Sequence, residues 1–164
     1  MAIDTRDHPP IKIKSYKISH DEVEFLKTTI ESQKQAGVVV PSASPWSFPC
    51  FVTYRKTLGL QKIKPRKVVN YQKLNDVTVA DSYPLPNAET LLDELHGAQY
   101  FGCLDLKSGF WQVELASEDD RQKTAFSAYM IGLHQYNRVP FGFRNAPSHF
   151  MRVIDRMLTE DNLR

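Results

Sequence analysis

An aspartate interrupts an otherwise apolar segment and is the residue of this chain best suited to do chemistry. Asp105 lies within residues 100–106, which the sequence predicts to be a buried strand. A carboxylate in such a strand must be paired, hydrogen-bonded or bound to a metal, because an isolated buried charge is very costly. Hard divalent cations take oxygen ligands, and the neighbouring backbone carbonyl offers a second oxygen. A capping or turn aspartate is the alternative, and for a lone acid it is the more frequent case.

Two turns near this aspartate are suited to bind phosphate. Residues 108–110 read Ser-Gly-Phe, in which small residues let backbone N–H groups approach a polyphosphate and the ring could floor a sugar pocket. Residues 140–143 form a stiff turn before an Asn-Ala-Pro helix start, and helix N-termini favour anions. Tight structural turns explain both segments equally well.

Basic residues are concentrated in one segment. The net charge is only +2, from 21 basic against 19 acidic residues, yet residues 50–75 contain seven basic residues and no acid. Such charge releases counterions from a nucleic-acid backbone, which predicts phosphate binding. A solvated hairpin is an equally good explanation. The seven residues are Arg55, Lys56, Lys62, Lys64, Arg66, Lys67 and Lys73.

Composition limits the class of protein. A length of 164 residues suits one hydrophobic core, and 41% hydrophobic with 24% charged residues excludes a disordered or collagen-like chain. The longest aliphatic run is residues 38–40, and no leader opens the chain, so we expect no membrane association and no secretion. Cys50 and Cys103 fit no disulfide or zinc framework. We expect an intracellular protein, cytoplasmic or nuclear.

The elements that must position these residues mix helices and strands. The first half predicts an extended arm over 1–18, a helix capped by Ser19 and Glu22 and ended by Gly37, a proline-rich loop over 41–50, and hairpin strands near 50–54 and 67–70. The second half predicts an irregular segment over 77–86, a short helix capped by Asn87, strands over 100–106, 110–115, 123–130 and 133–139, a solvated acidic turn at 118–120, and a final helix that buries Phe150, Ile154, Met157 and Leu158. Because strands and helices do not alternate strictly, an α+β fold is favoured over a doubly wound α/β fold.

Several motifs, in order and at family spacing, resemble the reverse transcriptases of gypsy-class LTR retrotransposons. They are residues 41–46 ("PSxSPW"), 68–75 ("VDYRxLN"), 83–86 ("YPLP"), 100–113 ("YFSxLDLxSGYxQI"), 123–126 ("KTAF") and 139–150 ("MPFGLxNAPxxF"). The match runs from about residue 3 to residue 158. The resemblance implies the incomplete palm sheet and the fingers of a right-handed polymerase. Its parts would be an N-terminal arm and capped helix over 1–40, fingers over 41–86 with the basic hairpin at 50–75, and the first part of the palm over 87–164.

The same resemblance implies a two-metal polymerase site. Asp105 would be the first metal-binding aspartate, with the Leu106 carbonyl as an extra ligand, for Mg²⁺ ions that clamp a dNTP and activate a primer 3′-hydroxyl. The implied nucleotide-binding residues are Arg66 on the α-phosphate, the backbone of Ser108 and Gly109 on the phosphates, Phe110 as the gate against a 2′-hydroxyl, and Phe141 and Gly142 lining the pocket. The implied contacts with an RNA or DNA template–primer are Lys62, Lys64, Lys67, Val68, Asn70, Gln72 and Asn75; one of Lys62 or Lys64 could instead approach the γ-phosphate.

The sequence departs from the family pattern in three places. Asn70-Tyr71-Gln72 replaces the family's Asp-Tyr-Arg, which weakens the expected grip on the template, and the hairpin tip is atypical. The 164 residues contain no "YxDD" motif, which supplies the other catalytic carboxylates. We therefore expect no polymerisation by this chain alone, and homo- or hetero-association through an unpaired palm edge. The alternative is a decayed or domesticated module that binds nucleic acid or protein without catalysis.

Overall fold

The fold is described from a computed structural model that covers residues 1–57, 60–103 and 105–158, with the backbone alone at residues 55–57, 60–63, 88 and 94. The helices are α1 (His20–Gln35), α2 (Gln72–Val77), α3 (Ala88–Glu94), α4 (Glu118–Lys123) and α5 (Ala146–Met157), with a 3₁₀ helix at Gly109–Gln112. The strands are β1 (Val39–Pro41), β2 (Phe48–Thr57), β3 (Leu60–Val69), β4 (Phe126–Ala128) and β5 (Gly132–Tyr136).

The five strands form one mixed sheet in the order β1-β5-β4-β2-β3. β2 pairs with β3 as the long antiparallel hairpin that carries the basic residues, and it pairs in parallel with β4 on its other side. β5 pairs antiparallel with both β4 and β1. The mixed sheet with its helices confirms the predicted α+β class, the basic hairpin and the hairpin that follows α4.

The core lies between this sheet and α1. The capping box begins α1 as predicted, because the Glu22 amide donates to Ser19 Oγ and the Ser19 amide donates to Glu22 Oε2. Tyr71 is buried beside Phe48, and its hydroxyl donates to the Thr124 carbonyl at 2.7 Å. That bond satisfies the one polar atom of a buried ring and ties the base of β3 to the segment before β4.

The predicted strand over residues 100–106 is wrong. The described residues of this segment form no strand, and Tyr100 and Phe101 are 93% and 68% exposed. A strand needs a partner for its backbone N–H and C=O groups, and none of the described strands pairs with this segment. Asp105 is therefore exposed, so the burial on which its interpretation rested is absent.

Three other expectations about elements are corrected. Residues 110–115 form no strand, because the chain winds into the 3₁₀ helix and makes one isolated bridge between Glu114 and Arg138. Residues 118–120 begin α4, and Asp120 is buried, where its Oδ1 accepts the Ile3 amide at 2.6 Å. The end of α5 is more than half exposed at Met157 and Leu158; its buried residues are Ala146 and Ser148.

Candidate active site

A cavity of about 430 Å³ opens where the segment after Asp105 meets α5. Five residues expected from the sequence to form a catalytic and nucleotide site line it: Asp105, Leu106, Gly109, Phe110 and Phe141. Phe150, Met151 and Ile154 of α5 complete its wall. These residues come from two segments about 35 positions apart in sequence, so the fold brings together most of the predicted pocket.

Three aromatic rings fix the shape of this cavity. The Phe110 ring lies 5.2 Å from that of Phe141 and meets the Phe150 ring edge-to-face at 5.5 Å. Edge-to-face and tilted arrangements are the favoured ones for aromatic pairs. Phe110 is therefore held on two sides, although Phe141 itself is 55% exposed. The sequence predicts that Phe150 is buried in the core, but it does not predict the contact between the Phe150 and Phe110 rings.

The backbone before Phe110 turns sharply. Ser108 adopts a left-handed conformation (φ 52°, ψ 47°), and the Trp111 amide donates to its carbonyl at 2.8 Å. A Cβ on Gly109 would lie 2.8 Å from Phe150 Cζ, closer than side-chain atoms tolerate. A side chain at position 109 would displace the Phe150 ring, so the close approach of α5 favours glycine here whatever Gly109 does with a ligand.

Asn75 is hydrogen-bonded to the turn that carries Phe141. Its Nδ2 donates to the Gly142 carbonyl at 2.9 Å, and its Oδ1 accepts the Arg144 amide at 2.9 Å. The Arg144 guanidinium also donates to the Asn75 carbonyl at 3.4 Å. The resemblance assigned Asn75 to template binding; its side chain here joins α2 to residues 142–144.

Lys67 points inward from β3. Its ammonium donates to Gln33 Oε1 at 2.5 Å and lies over the rings of Phe126, at 4.1 Å, and Tyr136, at 4.9 Å. Burial lowers the pKa of Lys67 to about 8, an effect that the Cys50 thiolate opposes. The lysine also lines a second cavity of about 150 Å³, which shares Phe141 with the first.

The outer face of the hairpin combines aromatic and basic side chains. Lys64 and Arg66 are exposed on β3, and Val68 lies opposite Phe51 in the sheet register. The Phe51 ring lies 5.5 Å from that of Tyr16 in the N-terminal arm. The Lys62 side chain, also expected to bind nucleic acid, lies outside the described residues.

At residues 70–72, where Asn-Tyr-Gln replaces the family's Asp-Tyr-Arg, the side chains are uncharged and Asn70 is hydrogen-bonded to nearby groups. Asn70 Nδ2 donates to the Tyr16 hydroxyl at 3.4 Å, and Asn70 Oδ1 accepts the Gln72 amide at 3.1 Å. Gln72 is exposed at the start of α2. These bonds place Asn70 and Gln72 at the end of the same aromatic and basic face.

The residues present do not by themselves fit a two-metal centre. Asp105 is exposed, and no group of three or more His, Cys, Asp or Glu side chains among the described residues could hold a metal ion. Asp81 is committed elsewhere, since Arg152 donates to both its oxygens at 2.8 and 2.9 Å and thereby lowers the pKa of its carboxyl. The Arg152 guanidinium also stacks 4.7 Å from the Tyr83 ring, which anchors this segment to α5.

The relatives of this chain are polyproteins several times its length. It is 38% identical over 158 residues to the retrovirus-related Pol polyprotein from transposon opus of Drosophila melanogaster, a match that covers 96% of this chain and 16% of the relative. The corresponding polyprotein from transposon gypsy is 37% identical over 160 residues, covering 97% and 15%. The enzymatic polyprotein of Cauliflower mosaic virus (strain Strasbourg) is 39% identical over 145 residues, covering 88% and 21%.

Solved structures agree with the fold. The protease–reverse transcriptase of Prototype Foamy Virus matches with a TM-score of 0.81 and 25% identity, over 96% of this chain and 20% of that one. A foamy viral protease–reverse transcriptase in complex with an RNA/DNA hybrid matches with a TM-score of 0.75 and 21% identity, over 95% and 20%. No described helix is both long and apolar enough to span a bilayer.

A family model described as "Reverse transcriptase (RNA-dependent DNA polymerase)" matches residues 55–163. This range includes β3 of the basic hairpin, the turn after Asp105 and the whole lining of the larger cavity. The gypsy-class motifs predicted the same relatives. By this match and by its polyprotein relatives, the chain belongs to the reverse transcriptase family.

Proposed function

We propose that this chain forms the fingers and the first part of the palm of an RNA-directed DNA polymerase. In this role it supplies the pocket for an incoming deoxynucleoside triphosphate and part of the grip on a template–primer. The observation that carries the proposal is the cavity of about 430 Å³, because Asp105, Leu106, Gly109, Phe110 and Phe141 line the same space.

The proposed nucleotide pocket selects its ligand by shape. The Phe110 ring is braced by Phe141 and Phe150, so it cannot swing aside at low cost to admit a ribose 2′-hydroxyl. The backbone N–H groups of Ser108 and Gly109 act on the phosphates, since a tight turn of small residues exposes them to an anion. Asp105 contributes one oxygen ligand toward a divalent ion, the kind of cofactor that reverse transcriptases generally use.

The proposed nucleic-acid surface is the outer face of the hairpin. Lys64 and Arg66 offer two exposed cations to phosphates, and the Tyr16–Phe51 ring pair offers a surface on which a base can stack. The resemblance places Arg66 on the α-phosphate of the nucleotide; we assign it to this surface because it is not among the residues that line the cavity. One foamy viral neighbour was solved in complex with an RNA/DNA hybrid, and we extend that class of ligand to this chain. Lys67 is not assigned to this surface, because its ammonium lies over Phe126.

We further propose that these 164 residues on their own bind nucleic acid but do not polymerise. Two-metal catalysis needs several carboxylates around both ions, and the pocket is lined by Asp105 alone among acidic residues of the described chain. A primer-extension assay with Mg²⁺ tests this directly. Nucleotide incorporation by the isolated chain would contradict the proposal.

Binding of a fluorescent RNA/DNA template–primer, measured by anisotropy against salt, tests the hairpin assignment. We expect the affinity to fall steeply with salt, and the K64E/R66E variant to lose at least tenfold, since two phosphate contacts are reversed. The K27E/K34E variant is the matched control, because it makes the same charge change on α1. A flat salt response, or equal losses in both variants, would contradict a template site on the hairpin.

A further inference from the structure

Asn75 directs both polar atoms of its side chain to one turn. Its amide donates to Gly142 and accepts from Arg144, and these partners are 67 and 69 residues away in sequence. Gly142 has a φ of +84°, a conformation that favours glycine, so the turn is sharply bent where Asn75 grips it. This pair of hydrogen bonds requires a side-chain amide, because it uses one donor and one acceptor on the same side chain.

Buried Pro140 and Phe143 anchor the two sides of this turn, but its tip is not buried. Phe141 and Gly142 are both exposed, so burial contributes modestly to their position. Phe141 nevertheless has to lie 5.2 Å from Phe110 and 6.0 Å from Trp111 to form one wall of the cavity. A displacement of the turn would therefore alter the cavity before it altered the core.

We infer that Asn75 is a positioning residue of the nucleotide pocket: it clamps residues 142–144 to α2 and thereby sets Phe141 against Phe110. This inference rests on the proposed nucleotide site. It replaces the assignment of Asn75 to template binding. An aspartate at this position keeps the acceptor for the Arg144 amide but turns a second oxygen toward the Gly142 carbonyl, which repels it.

The Asn75→Asp variant, compared with Asn137→Asp, tests the clamp without any ligand. Asn137 makes a similar exposed bond, from its Nδ2 to the Gly37 carbonyl at 3.1 Å, so the control removes the same kind of contact and adds the same charge. Both proteins are labelled with 5-fluorotryptophan and examined by ¹⁹F NMR. Trp111 packs on Phe141, whereas Trp46 packs on Phe48 in the core.

We expect Asn75→Asp to shift the Trp111 resonance and leave that of Trp46 unchanged, and Asn137→Asp to move neither. An unchanged Trp111 resonance in Asn75→Asp, or equal shifts at both tryptophans, would overturn the inference. If Asn75→Asp fails to fold, Asn75→Ala removes the amide without adding a repelling oxygen and is judged by the same two resonances.

Titration with a dNTP and Mg²⁺ then separates positioning from template contact. We expect Asn75→Asp to weaken dNTP binding about tenfold and leave the affinity for template–primer unchanged, because only the pocket wall moves. A loss of template–primer affinity with unaltered dNTP binding would overturn the inference. If dNTP does not shift the Trp111 resonance of the wild-type protein, the proposed nucleotide site is wrong. The comparison of the variants without ligand still decides whether Asn75 sets the position of the turn.

Discussion

Replacing Lys67 by methionine should remove a pH dependence of stability that the buried ammonium creates. Lys67 lies against Phe126 and Tyr136 and donates to Gln33, and burial lowers its pKa from the ordinary 10.5 to about 8. Between these two values the unfolded chain holds a proton that the folded chain has released. The free energy of unfolding therefore rises with pH in this window, and the cost of the buried charge is fully present below it.

The size of the effect follows from the two pKa values. From pH 7.5 to pH 9, Lys67 alone should add about 1.2 kcal/mol to the free energy of unfolding. Cys50 acts in the opposite direction, because burial raises the pKa of its thiol from 9.0 to about 11, and at pH 9 it subtracts about 0.4 kcal/mol. Over this range the free energy of unfolding of Lys67→Met should thus rise by about 1.2 kcal/mol less than that of the wild-type protein, because the contributions of Cys50 and of other groups that titrate here, such as the Met1 ammonium, are common to both.

Urea denaturation followed by circular dichroism at pH 7.5, 8.25 and 9 measures this difference. Lys64→Met is the matched control, because Lys64 lies on the same strand with an exposed side chain. It should keep the wild-type dependence. Equal pH dependences of the free energy of unfolding for wild type and Lys67→Met would refute the inward placement of Lys67. Lys67 would then count among the solvent-facing residues that could contact phosphate.

Three further substitutions probe the frame of the pocket. Gly109→Ala should lower the free energy of unfolding by about 1–3 kcal/mol, because its methyl group would meet Phe150 at 2.8 Å, and Phe150→Leu should relieve part of that loss in a double-mutant cycle. Ser108→Gly should stabilise the folded chain by about 1 kcal/mol in urea, because glycine adopts a φ of 52° without strain; a loss of stability would contradict the left-handed turn. Arg152→Met should destabilise the chain more at pH 7 than at acidic pH, since the pKa of Asp81 is held low mainly by Arg152 hydrogen bonds and their contribution is lost as pH falls through that pKa, whereas the contact with the Tyr83 ring remains; an equal loss at neutral and acidic pH would contradict the ion pair.

Local patterns predicted the elements whose stability is local. The capping box of α1 and the turn-bounded hairpin of β2 and β3 need no distant partner to be recognised. Residues 100–106 have the composition of a strand, but a strand depends on hydrogen bonds from a neighbouring one, and composition does not supply the neighbour. The same limit explains why residues 110–115 were misassigned.

The site was predictable in part. The resemblance identified Asp105, Phe110 and Phe141, which do line one cavity, although their roles stay predictions. The inward direction of Lys67 could have been found, because a strand alternates its faces and Lys67 lies two residues before buried Val69. The Asn75 clamp could not, since its partners lie 67 and 69 residues away and no spacing encodes them.

Photocrosslinking with 4-thio-dUTP, in the presence of template–primer and Mg²⁺, tests most directly whether the cavity is a nucleotide site. Peptide mapping should find the adducts on segments that contain Phe110 or Phe141, which line the cavity. Unlabelled dTTP should compete strongly and UTP weakly, because the braced Phe110 ring excludes a 2′-hydroxyl. Adducts confined to other surfaces, or equal competition by dTTP and UTP, would contradict the account.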